Sequence, residues 1–165
     1  MPMREKNLQY LLDWTSIQDL AVEYGQAIDH GRDTGDWSRW ANVFTDEVTA
    51  DYTRLGFDPL TLKREQMPDV AKGALKAFHR VQHATANCVG LRFQSDSHAE
   101  VMAYAEVAHY FHAGGDQHEW TIVARYTFSV ERTPDGWKIR KVLLDPIHYR
   151  GNRVGKDLLE GKTLI

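Results

Sequence analysis

The chain has 165 residues, 42% of them hydrophobic and 26% charged, with a net charge of −3. That length suits a single domain over 1–165 with a real core, and the charge balance gives no footprint for nucleic acid or an anionic membrane. No apolar run approaches the roughly 20 residues of a membrane span, and no apolar signal region follows Met1-Pro2-Met3-Arg4.

The one cysteine, Cys88, excludes an internal disulfide and speaks against a thiolate metal cluster. A reducing, cytoplasmic location is the expectation.

Ser16-Ile-Gln-Asp19 is a capping-box signal with Asp in place of Glu. Behind it Ile17, Leu20, Ala21, Tyr24, Ala27 and Ile28 recur at helical spacing, which predicts an amphipathic helix ended by Gly31 and Arg32–Gly35. A short second helix follows Asp36, carrying Trp37, Trp40, Ala41 and Phe44. Val48, Ala50 and Tyr52 then alternate as in a short strand. The stretch from Gly56 to Arg64, with Pro59, reads as a loop. A third helix starts near Pro68, with Met67, Val70, Ala71, Ala74, Leu75 and Phe78 as its stripe.

From His83 the period becomes two. His83, Thr85, Asn87, Val89, Leu91 and Phe93 share a face if no bulge intervenes. After the turn Gln94–His98, a long strand over Ala99–His112 turns Val101, Ala103, Ala105, Val107, His109 and Phe111 one way. Beyond the turn at Gly114–Gln117, Trp120, Ile122, Ala124, Tyr126, Phe128 and Val130 alternate inward. Thr133-Pro-Asp-Gly136 is a hairpin signal, and the last strand runs from about Trp137 to Leu144. A polar tail follows Pro146, ending in Leu158, Leu159, Leu164 and Ile165.

Helices followed by an antiparallel meander predict an α+β fold. Its curved, antiparallel or mixed sheet wraps around the N-terminal helices as a cone and encloses a hydrophobic pocket. A core of about 10–148 and a tail of 149–165 are expected. Polar residues on otherwise apolar faces then need a reason, because burying them costs free energy unless they are hydrogen-bonded.

Asp29 and His83 make the sharpest chemical suggestion. A carboxylate that accepts the imidazole Nδ1 proton fixes the tautomer and stabilises the imidazolium, which builds a general base from side chains alone. The plainer alternatives are a solvated helix-end aspartate and a core histidine satisfied by backbone. His79 and His83 have the four-residue spacing of paired metal ligands but lack the Glu of a His-Glu-x-x-His site, so no metal is expected.

Asp29, the Asp36-Trp37 helix start, Ala50-Asp51-Tyr52, Gln82-His83 and Asp135-Gly136-Trp137-Lys138, in this order of elements, resemble the SnoaL-like families of the nuclear-transport-factor-2-like superfamily. Scytalone dehydratase, bile-acid dehydratases and hexachlorocyclohexane dehydrochlorinase are the relatives it is most similar to. The resemblance spans roughly residues 10 to 148. It implies the α+β cone, a homo-oligomer (a trimer before a dimer), and elimination by an Asp–His dyad with no metal or organic cofactor. Asp29 and His83 stand at the dyad positions. Tyr52 matches a tyrosine that helps to hold a substrate carbonyl, and Tyr24 a pocket tyrosine of the bile-acid branch. The chain departs from the scytalone enzyme in three places. Ile28 replaces the tyrosine before the dyad Asp. Phe111 aligns with a second pocket histidine, while His109 lies two residues earlier on the same face. Tyr126 aligns near the pocket asparagine. Tyr24, Tyr52, His109, Tyr126 and Phe111 are therefore the expected substrate contacts.

The expected function is a cofactor-independent lyase of dehydratase type acting on a small hydrophobic cyclic or aromatic molecule. Trp40, Phe93, Phe111, Phe128 and Trp120 are the aromatic pocket candidates. An isomerase or cyclase using the same base is the first alternative, and a non-catalytic ligand-binding or accessory protein the second. An epoxide hydrolase would want a carboxylate-rich cluster around Asp29, where the sequence suggests a single pocket carboxylate.

Overall fold

Among the described residues six strands form one mixed sheet in the order β2-β1-β6-β5-β4-β3, with two longer α-helices and two short ones around it. The computed structural model describes residues 7–162, the side chain of Asn87 excepted, so Leu164 and Ile165 lie outside the described residues. The helices are α1 (Leu8–Thr34), α2 (Ser38–Ala41), α3 (Met67–Leu75) and α4 (Val154–Leu159). The strands are β1 (Phe44–Asp51), β2 (Leu60–Lys63), β3 (Arg80–Phe93), β4 (His98–Ala113), β5 (Asp116–Thr133) and β6 (Gly136–Gly151). Among the described strands only the β1–β6 pair is parallel. The architecture is an α+β cone, with α1 lying across the inner face against β3, β4 and β6. No helix among the described residues is long and apolar enough to cross a membrane.

The meander follows its hydrophobic alternation. Val101, Ala103, Ala105, Val107, His109 and Phe111 on β4 are buried, as are Trp120, Ile122, Ala124, Tyr126, Phe128 and Val130 on β5. Each set meets α1 or α3 from the concave side, so the two-residue period and the burial coincide.

Several boundaries differ from the sequence reading. Helix α1 starts at Leu8, where the Asn7 side chain accepts the Tyr10 N–H at 3.0 Å, not at Ser16. Its first turns hide their inner face behind a polar residue. Asp13 is buried, accepts the indole N–H of Trp137 (3.2 Å) and an amide N–H of Gln9 (3.0 Å), and pairs with Arg132 at 2.5 Å. Burial pushes its carboxyl up, and the bonds from Arg132, Trp137 and Gln9 more than offset this, leaving it below the usual carboxylate range.

At its other end α1 runs through Gly31 to Thr34. The helix stops at Gly35, whose φ of 81° and N–H bond to the Gly31 carbonyl form a left-handed cap. Gly31 serves packing instead, since a Cβ there would lie 2.6 Å from the Trp37 ring. Phe44 belongs to β1, not to the second helix. The expected loop over 56–64 contains β2, a four-residue edge strand paired with Glu47–Ala50. β3 begins at Arg80 and is bulged between Ala86 and Cys88 and again between Val89 and Arg92. The bulges turn Val89 out to solvent and break the expected face after Thr85. β6 continues to Gly151, so strand and then α4 occupy most of what reads as a polar tail.

Candidate active site

Asp29 stands on α1 and His83 on the inward side of β3, 54 residues apart in sequence. The Asp29 carboxylate grips His83 twice. Oδ1 lies 2.6 Å from the imidazole Nδ1, and Oδ2 accepts the His83 backbone N–H at 2.7 Å. A carboxylate so engaged accepts at both oxygens, which places the proton on Nδ1 and leaves Nε2 as the ring's free lone pair. The His83 side chain is nearly sealed (5% exposed), whereas Asp29 keeps an edge in a surface groove with Asp33, His79 and Arg80. Asp29 therefore lies behind His83, on the far side from the cavity.

That cavity measures about 170 Å³. Its polar wall is His83, His109, Tyr24, Tyr52, Tyr126 and the exposed Asp58. The rest is apolar, including Ile28, Trp40, Val107, Ile122 and Leu144.

Strands β3, β4 and β5 each deliver one polar group to this wall, His83, His109 and Tyr126. Tyr24, on the buried face of α1, places its hydroxyl 2.7 Å from that of Tyr52, the residue just after β1. Burial pushes the Tyr52 phenol up to about 12 and those of Tyr24 and Tyr126 well above their ordinary value. The neighbouring Tyr52 and the Asp29 charge add to the rise at Tyr126. At neutral pH all three are protonated, so they can donate hydrogen bonds.

His109 is buried between the rings of Phe78 and Trp120 at 4.8 and 5.2 Å, with Nδ1 3.3 Å from the Trp120 carbonyl. A carbonyl only accepts, so Nδ1 carries the proton and Nε2 the lone pair. Burial, then the nearby His83, pushes this imidazole down to about 3. The unfolded chain thus binds a proton that the folded one refuses between an ordinary 6.5 and about 3. Stability from His109 is complete above that window and is lost as pH falls through it, on the order of 4 kcal/mol at its acid end. Thermal unfolding followed from pH 7 to 4 should show a falling midpoint, with a shallower slope in His109→Phe.

Four of the five expected substrate contacts, Tyr24, Tyr52, His109 and Tyr126, line the cavity together with His83. Phe111 does not. It faces inward as expected, but two residues further along β4 the Phe78 ring, which follows α3, fills the space, with ring centroids 6.1 Å apart. Of the aromatic candidates, Trp40 lines the wall. Phe93 packs on Tyr10 and Trp137, Phe128 stacks behind Tyr126, and Trp120 sits beneath α4, where a Cβ on Gly155 would lie 2.4 Å from it.

The wall also holds residues that carry no periodic signal. Leu55, Phe57, Asp58 and Leu60 come from the segment between β1 and α3, and Leu159 from α4. Asp58 is a carboxylate that the sequence reading does not place in the pocket. Among the described residues no three His, Cys, Asp or Glu side chains converge as metal ligands.

Comparison with known proteins places the chain in a family. The model of the SnoaL-like domain matches residues 9–142. No curated protein matches the sequence. Among solved structures, the Kfla4162 protein from Kribbella flavida is 23% identical, with 89% of this chain and 98% of that one covered and a TM-score of 0.77. The hexachlorocyclohexane dehydrochlorinase LinA-type3 from Novosphingobium barchaimii LL02 is 21% identical, with 88% and 93% covered and a TM-score of 0.73. A scytalone dehydratase candidate from Novosphingobium aromaticivorans is 17% identical, with 86% and 89% covered and a TM-score of 0.70. At these identities the structures share the fold, and the family match carries the assignment: the chain belongs to the SnoaL-like domain family.

Proposed function

We propose that the protein is a lyase that carries out a dehydratase-type elimination, with His83 as general base and Asp29 as its orienting carboxylate. The observation that carries this reading is the double grip of Asp29 on His83, at 2.6 and 2.7 Å, behind a largely apolar cavity. The base is complete in side chains and needs no bound group to form. A cavity near 150 Å³ holds about one benzene-sized ring, so a cavity of about 170 Å³ favours a compact hydrophobic cyclic or aromatic substrate.

The steps follow from the geometry. Nε2 of His83 takes an acidic C–H proton, next to a carbonyl or similar group. Tyr52 donates to the developing enolate oxygen, with Tyr24 holding its hydroxyl and Tyr126 beside it. The electron pair of the C–H bond becomes the new double bond as the leaving group departs. A positioned base contributes about 10²–10⁴-fold and one oxyanion donor about 10²–10³-fold. Orientation in a dry cavity supplies more. The protein acts as a cytoplasmic homo-oligomer in this reading, a trimer before a dimer.

A mass-resolved assay of the wild type on cyclic β-hydroxy carbonyl and halogenated ring compounds tests it. Loss of water or of hydrogen halide is the expected result. Mass-neutral conversion would instead make the protein an isomerase or cyclase using the same base, and tight binding without conversion would make it a binding protein.

A further inference from the structure

We infer that Asp145, on the outer face of β6, is a positioning residue for Tyr52: through Arg54 it fixes the turn from which the Tyr52 hydroxyl reaches the cavity. This rests on the elimination reading above, in which Tyr52 donates to the developing enolate oxygen, and it assigns a role to a charged cluster outside the cavity.

Tyr52 stands where β1 ends. Its carbonyl accepts the N–H groups of Leu55 (2.9 Å) and Phe57 (3.4 Å), so the chain turns back at once through a single 3-10 turn, Thr53–Leu55. None of the residues in that turn is buried, so packing alone does not place it. Side chains tie it down instead. Thr53 donates its hydroxyl to Asp51 Oδ1 at 2.7 Å, and Asp51 Oδ2 pairs with Lys141 at 3.3 Å. Arg54 reaches Asp145 Oδ1, while Arg125 holds Oδ2 at 2.5 Å.

The strand register brings this cluster behind the cavity wall. Side chains alternate between the two faces of a sheet. Asp51 lies beside Leu143 of β6, and Arg125 of β5 beside Asp145, so Lys141, Leu143 and Asp145 form one outward row next to the end of β1. The residues between them turn inward. Val142 and Leu144 are buried, and Leu144 lines the cavity with Tyr126, the neighbour of Arg125. Asp145 is thus one residue from the wall along its own strand and, through Arg54, two residues from Tyr52.

Electrostatics makes Asp145 the centre of the cluster. Two guanidinium groups converge on this one carboxylate, whose side chain is 17% exposed. The bond from Arg54 is the main cause that holds its carboxyl below the usual range, and Arg125 adds to it against the cost of burial. Without that negative charge the two arginines repel each other. β5 and β6 keep their register, because their ladder runs from Trp120 and Gly151 to Thr133 and Gly136. The turn after Tyr52 has no such ladder. Arg54 then swings out, and the Tyr52 hydroxyl leaves its place 2.7 Å from that of Tyr24.

The experiment is a double-mutant cycle of Asp145→Asn and Tyr52→Phe in the intact chain. It is read first as kcat and KM on a converted substrate. It is read again, without turnover, by equilibrium dialysis of 4-nitrophenolate, whose oxyanion stands in for the enolate oxygen, beside nitrobenzene, which lacks it. An oxyanion donor is worth about 10²–10³-fold, and one displaced but not removed should cost about 10-fold. Asp145→Asn is expected to lower kcat and weaken 4-nitrophenolate binding by that factor, with KM and nitrobenzene binding nearly unchanged. In the Tyr52→Phe background it should change none of these. Arg54→Ala, which removes the pair from its exposed end, should match Asp145→Asn. Wild-type behaviour of Asp145→Asn, equal losses with and without the Tyr52 hydroxyl, or no binding of 4-nitrophenolate by the wild type overturns the inference. If no elimination substrate turns over while the cycle in 4-nitrophenolate binding still shows the coupling, the elimination reading fails and Asp145 stands as the positioning residue of an oxyanion donor.

Discussion

Replacing His83 by Ala is expected to lower kcat for elimination by about 10²–10⁴-fold while KM changes little, because the base acts on the reacting C–H bond and contributes little to binding. Asp29→Asn should cost nearly as much, for a reason specific to this geometry. The carboxylate accepts twice, from Nδ1–H and from the His83 backbone N–H. An Asn side chain has one carbonyl oxygen and can replace only one of those acceptors. If the oxygen stays on the backbone N–H, the amide NH₂ faces Nδ1. The ring then adopts the other tautomer, with its proton on Nε2 where the lone pair is needed. Single-turnover kinetics of wild type, His83→Ala and Asp29→Asn on a converted substrate measures both effects. Circular dichroism checks that each variant is folded. Near wild-type turnover in Asp29→Asn would mean that orientation by the carboxylate is dispensable and would remove the dyad from the mechanism.

The inner faces of β4 and β5 were legible because one face of each is buried along its length, so alternation and burial coincide. The start of α1 was not, because a buried, paired aspartate stands where an apolar residue would signal the face. β2 was not legible either: Leu60–Lys63 alternates apolar and polar over only four largely exposed residues, too few to set a period, and its strand character comes from pairing with β1. At the site, alternation predicted the face of His109 and of Phe111 correctly but could not give depth. Depth is decided by the Phe78 ring, which arrives from after α3. Asp29 and His83 were suggested by residue type and by family resemblance. Nothing in their spacing implied a 2.6 Å contact, which depends on how closely α1 crosses β3. Phe57 and Asp58 had no signal at all, because irregular backbone has no period to read.

That crossing predicts a second large effect, at Gly25, one turn before Asp29. A Cβ at this position would lie 2.7 Å from His83 Cβ, 3.0 Å from Thr85 Oγ1 and 3.3 Å from His83 Cγ. Carbon atoms pack at about 3.5–4.0 Å, and a Cβ cannot rotate away from its own backbone. Gly25→Ala must therefore push α1 off β3 by close to 1 Å. Asp29 rides on that helix, and its 2.6 Å contact would stretch beyond the range of a hydrogen bond. Two energies compete. Alanine gains about 1 kcal/mol of helix propensity over glycine, whereas overpacking costs about 1–3 kcal/mol. The expected net change in stability is small to moderate, while a misplacement of about 1 Å at a catalytic group costs about 10²-fold in rate. The variant should thus be folded and poorly active. Gly73→Ala on α3 is the matched control: nothing lies within 4 Å of its Cβ, so it should gain stability from propensity and keep its activity. The downfield proton resonance of the Asp29–His83 hydrogen bond gives a reading independent of turnover, and it should weaken or vanish in Gly25→Ala and persist in Gly73→Ala. If Gly25→Ala keeps both the resonance and the rate, the helix slides along β3 instead of lifting from it, and the glycine has no part in setting the dyad.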